Sequence, residues 1–200
     1  MKKLIAIVAV ALATTVAANA QIGIFGGFTS SKTDLKEATS NSISLYHAGV
    51  AYKFEIGQVF CIQPGLAYQV KGARLSNIDS TEGSDWQYRT GYVELSLGLQ
   101  LGIDLAVVRP FGLFEPFLGY QVTGQEQWDN NSGWGNITQV TNKFEYGFGV
   151  GGGVELFDHV QLSVQWFKNL GQLFPESSST APTQNVKNYQ GVKFTLGLFF

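Results

Sequence analysis

The chain has 200 residues and a formal net charge of −2, and charged residues make up only 14% of it, against about 25% in soluble domains. The length suits one domain, and the slightly acidic balance leaves no basic face for nucleic acid. Glycine is abundant, at 24 residues, and the single cysteine, Cys61, cannot form an internal disulfide.

At the start of the chain, Lys2 and Lys3 precede an apolar stretch over 4–16, and Ala18, Asn19 and Ala20 form a small-x-small site before Gln21. The pattern predicts an export signal over 1–20, cut between Ala20 and Gln21, and a mature domain over 21–200. A spanning helix is disfavoured because the apolar stretch is short and small residues follow it. Later in the chain no run of about 18 apolar residues occurs, so helical spans are excluded.

Two-residue periodicity then takes over. Apolar residues fall on alternate positions at Tyr46, Ala48, Val50, Tyr52 and Phe54, then at Phe60, Ile62, Pro64, Leu66, Tyr68 and Val70. The pattern returns at Val93 to Leu101, at Phe114 to Val122 and at Val160 to Trp166. In the last strand Val192, Phe194, Leu196, Leu198 and Phe200 share one face and end on an aromatic C-terminus. Side chains alternate faces along a strand, so one face of each run can meet lipid while the other lines a lumen. Long polar stretches at 29–42, 72–87, 124–142 and 172–188 alternate with short connections at 56–58, 102–108 and 157–159. Four long and three short connections join eight strands. The predicted fold is all-β, an eight-stranded antiparallel up-and-down transmembrane β-barrel with short turns and both termini in the periplasm.

The opposite phase carries the polar groups. Lys71, Glu94, Glu115, Glu145, Glu155 and Lys193 point inward, and Arg89 is placed with them beside a bulge expected near 88–92. An eight-stranded barrel is just wide enough for its own side chains, so these charges are expected to pair as a lumen polar network rather than to work as acids and bases. Gly147-Phe148-Gly149-Val150-Gly151-Gly152 matches a dinucleotide-binding spacing, but no helical pattern follows it. Gly147, Gly149, Gly151 and Gly153 are instead expected to make room inside the lumen for the rings of Phe117 and Phe167.

The fourth strand, Tyr92-Val93-Glu94-Leu95-Ser96-Leu97, resembles the Tyr-x-Glu-Ile-Pro-Leu segment of the outer-membrane β-barrel family of Bacteroidota, which includes PorT-like proteins and small eight-stranded OmpA-like barrels. Pro110 to Tyr120 and the glycine-rich Phe148 to Leu156 are similar to that family too, with Ser96 in place of the usual proline. The resemblance implies an outer-membrane location. It also implies insertion by the barrel-assembly machinery, which reads the C-terminal signal Phe194, Leu196, Leu198 and Phe200. It brings no catalytic residues.

Small outer-membrane barrels that modify lipids use a His with a Ser, which singles out His47 near Ser42 and Ser44; His159 lies in a short turn. Neither histidine has an orienting third group in the pattern, and nothing is spaced for a metal. The expectation is a protein without catalytic residues, cofactor or metal that acts as a structural or interaction scaffold in the outer membrane, with membrane lipid as its surroundings. The alternatives are a narrow pore, a lipid-modifying enzyme and a secretion-system component. Any extracellular contact is expected at Trp86, Trp128 and Trp134 in the long loops. A soluble β-barrel carrier is the structural competitor, because alternation does not say which face meets water.

Overall fold

The computed structural model describes residues 20–33, 39–76, 86–128, 133, 135–136, 143–171 and 188–200. Its elements are β1 (Ala20–Thr33), β2 (Thr39–Ile56), β3 (Phe60–Ser76), β4 (Trp86–Gly102), β5 (Val108–Trp128), β6 (Gly135–Asn136), β7 (Phe144–Leu156), β8 (Val160–Asn169) and β9 (Tyr189–Phe199). Each long strand pairs antiparallel with its chain neighbours. β9 returns to β1, and β4 also pairs with β5, so the sheet closes on itself. Closure satisfies every strand edge internally, which a strand structure must do in a solvent that offers no hydrogen bonds. The ring has eight strands. The ninth element, β6, is a two-residue piece paired with Gln125 and Glu126 on β5, outside the ring. The seam is completed by the last residue: Ile22 N–H donates to the Phe200 carbonyl at 3.2 Å, and Phe200 N–H donates to the Ile22 carbonyl at 2.8 Å.

Which face meets which solvent is decided by burial. Leu118 and Leu101 are each 62% exposed on the outside of the ring, while Lys53 and Lys71 are fully buried within it. An apolar exterior around a charged core inverts the arrangement of a water-soluble carrier, whose interior would hold the Val, Leu and Phe side chains. The outward apolar face runs round the barrel from Ile22, Ile24 and Phe28 on β1 to Phe194, Leu196 and Leu198 on β9.

The short connections are tight turns. Gly57 takes a φ of 69°, and Leu105 bridges to Val108 around Ala106 at φ 64°. In the β7–β8 hairpin Phe157 (φ 54°) and Asp158 (φ 61°) are both left-handed, and His159 N–H donates to the Leu156 carbonyl at 3.1 Å. Two positive φ values match the twist of the hairpin but favour Asn-Gly at those two positions. Asp158→Gly is therefore expected to stabilise the barrel by about 0.5–1 kcal/mol, read as a later urea midpoint in detergent.

At the other end the strands run further than the polar stretches suggest. Thr29 pairs with Leu45 and Ser31 with Ile43 in regular β1–β2 register, and β3 and β4 remain paired out to Leu75 and Trp86. Beyond the apolar band the outer face meets water, so these strand extensions lose the apolar alternation that marks a strand in sequence. Two irregularities break the ladders. On β2, four residues, 43–46, face three on β3, 70–72, and Val70 is buried there rather than lipid-exposed. The second lies between Gly91 and Tyr92, where the additional residue, Val122, is on β5. β4 thus keeps an unbroken phase, and Tyr88, Thr90, Tyr92 and Glu94 are all buried.

Candidate functional site

The interior is built from alternate residues of all eight ring strands, and it is layered. At the short-turn end Lys53 Nζ lies 2.5 Å from Glu155 Oε1 and 2.7 Å from Glu55 Oε1. Arg109 reaches Glu155 at 3.8 Å and Asp104 at 3.4 Å, and its Nη1 donates to Gln100 Oε1 at 3.2 Å. Gln100 in turn donates to Gln63 at 2.7 Å. The Phe199 ring turns inward over Lys53, 5.9 Å from the ammonium, and Gly23 and Gly197 leave it space: a Cβ on either would lie within 3 Å of the ring.

At the opposite end Lys71 is the hub. Its ammonium lies 2.8 Å from Glu94 Oε2 and 2.7 Å from Glu145 Oε1, and Asn169 donates to the other oxygen of Glu145 at 2.5 Å. Three rings surround the same ammonium, with centroids at 4.3 Å (Phe117), 5.3 Å (Phe167) and 5.5 Å (Tyr92). Two carboxylates and three π faces together replace the hydration that burial removes from the charge. Lys193 joins this layer to the middle of the barrel, 2.8 Å from Glu115 and 3.6 Å from Glu94. Further out, Thr90 Oγ1 and Tyr189 Oη share a hydrogen bond of 2.8 Å beside Tyr88.

Between the layers lies a cavity of about 40 Å³, lined by His47, Gln69, Glu94, Glu115, Gln165 and Lys193 among others. It has room for about three waters. His47 is held there through both ring nitrogens: Nδ1 is 2.9 Å from Thr29 Oγ1, and Nε2 is 3.0 Å from Thr195 Oγ1. Ser42 and Ser44 are exposed and are not its partners. His159 is exposed in its turn, with Nδ1 2.5 Å from the Phe157 carbonyl. Among the described residues no three His, Cys, Asp or Glu side chains are grouped to hold a metal.

Of the charges expected in the lumen, Lys71, Glu94, Glu115, Glu145 and Lys193 are brought into one connected cluster, and Glu155 into the layer at the short-turn end. Arg89 is a correction. Both its neighbours, Tyr88 and Thr90, are buried inward, so it stands on the outer face, donating to Gln125 at 2.7 Å. The bulge expected near 88–92 has its additional residue on β5 instead. Lys53 and Arg109 were not singled out in the sequence, although the phase of β2 places Lys53 inward between Tyr52 and Phe54; Arg109 sits one residue from a turn, where there is no alternation to read.

The glycine track on β7 is a contact surface. A Cβ on Gly147 would lie 2.6 Å from Phe117 Cζ, one on Gly153 2.6 Å from Phe111 Cζ, and one on Gly149 2.5 Å from the Gln165 amide carbon. Phe167, in register with Gly149, is fully buried. Trp86 and Trp128 are the outermost residues of β4 and β5 and register partners across that pair, rather than loop residues. Trp134 and residues 1–19 lie outside the described residues, and Ala20 and Gln21 open β1.

Over residues 14–175 the sequence matches the family model described as an outer membrane protein beta-barrel domain. The chain belongs to this outer-membrane β-barrel family. Its closed ring and apolar exterior are those of an outer-membrane barrel, with the inverted burial described above. Among solved structures, this family member is similar to Neisserial surface protein A, at 12% identity and a TM-score of 0.46, over 90% of this chain and 97% of that one. It is also similar to Ail, the attachment invasion locus protein of Yersinia pestis, at 9% identity and a TM-score of 0.46, over 90% and 98% of the two chains. For the outer membrane protein OprG of Pseudomonas aeruginosa the identity is 12% and the TM-score 0.43, over 90% and 95%. No curated protein sequence matches it.

Proposed function

We propose that this protein is a non-enzymatic, non-conducting outer-membrane barrel, a structural or interaction scaffold that holds its outer loops at the cell surface. One observation carries the reading: the lumen is filled by two ion-paired layers around a cavity of about 40 Å³. A conducting pore needs a continuous water path, and charges buried in mutual contact occupy the cross-section where that path would run. A lipid-modifying enzyme needs a histidine that can reach a nucleophile and a substrate, whereas both nitrogens of His47 are engaged by threonines within the lumen.

The same reading takes 1–20 as a signal cut between Ala20 and Gln21, the point at which β1 begins. It gives Phe194, Leu196, Leu198 and Phe200, all exposed on the outer face, to recognition by the barrel-assembly machinery. It keeps Trp86, Trp128 and Trp134 as candidate contacts for an extracellular or secretion partner, and it keeps the Bacteroidota PorT-like relationship, which rests on the fourth-strand segment. In planar bilayers the purified protein is expected to show no resolvable single-channel current, while unboiled and boiled samples from the outer-membrane fraction differ in electrophoretic mobility. Discrete conductance steps would replace this reading with the pore. Loss of a measurable lipid hydrolase activity in His47→Ala would replace it with the enzyme.

A further inference from the structure

Two prolines interrupt the hydrogen-bond ladder inside the apolar band. Between β2 and β3 the pairing passes from Ala51 with Gly65 to Phe54 with Ile62, so the register continues while Tyr52 with Pro64 and Lys53 with Gln63 are left out. Between β4 and β5 it passes from Ser96 with Phe117 to Leu99 with Phe114, leaving out Leu97 with Pro116 and Gly98 with Glu115. In both places the missing pairs are the two that need the N–H a proline lacks. The ladder on the other side of each proline is intact, since Pro64 pairs with Leu97 and Pro116 with Phe148. The Tyr52 and Leu97 carbonyls thus face a proline nitrogen and receive no ladder donor. Proline in a sheet is ordinarily confined to an edge strand, and a closed ring has none.

Each break underlies a hollow in the lipid-facing surface. The larger, of about 540 Å³, is lined by Pro64, Leu95, Leu97, Pro116, Leu118 and Tyr146 among others. A smaller one, of about 230 Å³, lies over Tyr52 and Pro64. No charged residue lines the larger hollow, and Leu95, Leu118 and Tyr146 are each half-exposed or more around it. An acyl chain buries well on such a surface. A carbonyl without a donor does not, because lipid supplies no hydrogen bond unless a chain carries a donor of its own.

We propose that the hollow over Leu97 and Pro116 is a binding site for an amphiphile whose acyl chain bears a hydroxyl near its head end, with that hydroxyl donating to the Leu97 carbonyl. The proposal rests on the membrane reading above and adds a lipid class to it. The level follows from the register. Tyr146 pairs with Leu118 and Leu118 with Leu95, one row of the sheet nearer the long-loop end than Leu97. A step of two residues along a strand spans about 7 Å. Tyrosine side chains settle where acyl chains give way to headgroups, so a chain whose head lies beside Tyr146 brings a hydroxyl a few atoms further down to the row of Leu97. Selection at this site is by one hydrogen bond and not by charge.

The test is retention of lipid, counted by native mass spectrometry, from micelles containing equal amounts of β-hydroxymyristic acid and myristic acid, which share a carboxylate and differ by one hydroxyl. The wild-type barrel is expected to retain the hydroxylated acid over the plain one by about three- to tenfold, the ratio that one hydrogen bond supplies. Pro116→Leu restores an N–H opposite Leu97 and should bring retention to parity, while Pro64→Leu, the same change at the other break, should leave the preference in place. In protein isotope-labelled at its leucine carbonyls, the Leu97 carbonyl signal should move on addition of β-hydroxymyristic acid and stay put on addition of myristic acid. Equal retention of the two acids by the wild type would overturn the proposal, as would a preference that survives Pro116→Leu. So would a Leu97 carbonyl already hydrogen-bonded before either acid is added and unmoved by both, which would mean that water from the lumen supplies the donor. The heat-dependent gel shift of the same samples reports separately on the barrel itself.

Discussion

Lys71→Met is expected to destabilise the folded barrel by about 3–5 kcal/mol, the usual cost of removing one partner from a buried ion pair. Lys71 is fully buried, and its ammonium is the cation shared by Glu94 at 2.8 Å and Glu145 at 2.7 Å. Without it Glu145 keeps Asn169 as a donor and Glu94 keeps Lys193 at 3.6 Å, but two carboxylates then face one another among the rings of Phe117, Phe167 and Tyr92. The measurement is the urea midpoint of the gel-mobility transition in detergent, compared with wild type. Adding Glu94→Gln and Glu145→Gln to Lys71→Met should recover most of the loss, because an uncharged cluster of similar volume carries no unpaired charge. A single variant as stable as wild type would mean that the ion pairs are incidental to the plug. Failure of the triple variant to recover would mean that packing by the lysine stem, rather than its charge, holds the layer together.

The second large effect is expected from Gly147→Leu. A Cβ at this position would lie 2.6 Å from the Phe117 ring and 2.9 Å from the Asn169 Cα, and closer still to the Lys168 carbonyl. Two of those three neighbours are backbone and cannot rotate away, so accommodating the side chain means spreading β7 from β8. A loss of about 3 kcal/mol or more is expected, at the upper end of what overpacking costs. Gly112→Ala is the matched control on β5. It faces outward with nothing within 4 Å of the added Cβ, and it should leave the urea midpoint unchanged or raise it slightly, because alanine loses less conformational freedom than glycine on folding. Equal tolerance of both substitutions would show that the β7 glycines are not there to make room.

A different principle sets the extents of the strands. Thr29 and Ser31 were read as loop because the apolar alternation stops before them, yet both are fully buried on paired strands. Alternation signals a strand only where its two faces meet different surroundings. Once the outer face leaves lipid for water, both faces are polar and the period disappears, although the hydrogen-bond ladder continues. Trp86 and Trp128 were assigned to loops for the same reason, and they are the last register pair of β4 and β5.

The residues by themselves determined the strand count, the place of the short turns and the inward side of Lys71, Glu94, Glu115, Glu145, Glu155 and Lys193, because a period of two is a local property of the chain and the lipid band imposes it on every strand. Local pattern could not say which charges meet. Lys71 and Glu145 are 74 positions apart and Lys53 and Glu155 are 102 apart, and only closure of the ring brings β3 opposite β7 and β2 opposite β7. Nor could it say which strand holds the bulge: the additional residue is on β5, so β4 keeps its phase and Arg89 stays on the outer face. Pairing partners, bulge position and the residual 40 Å³ cavity are properties of the closed cross-section, where side chains from eight strands compete for one narrow space.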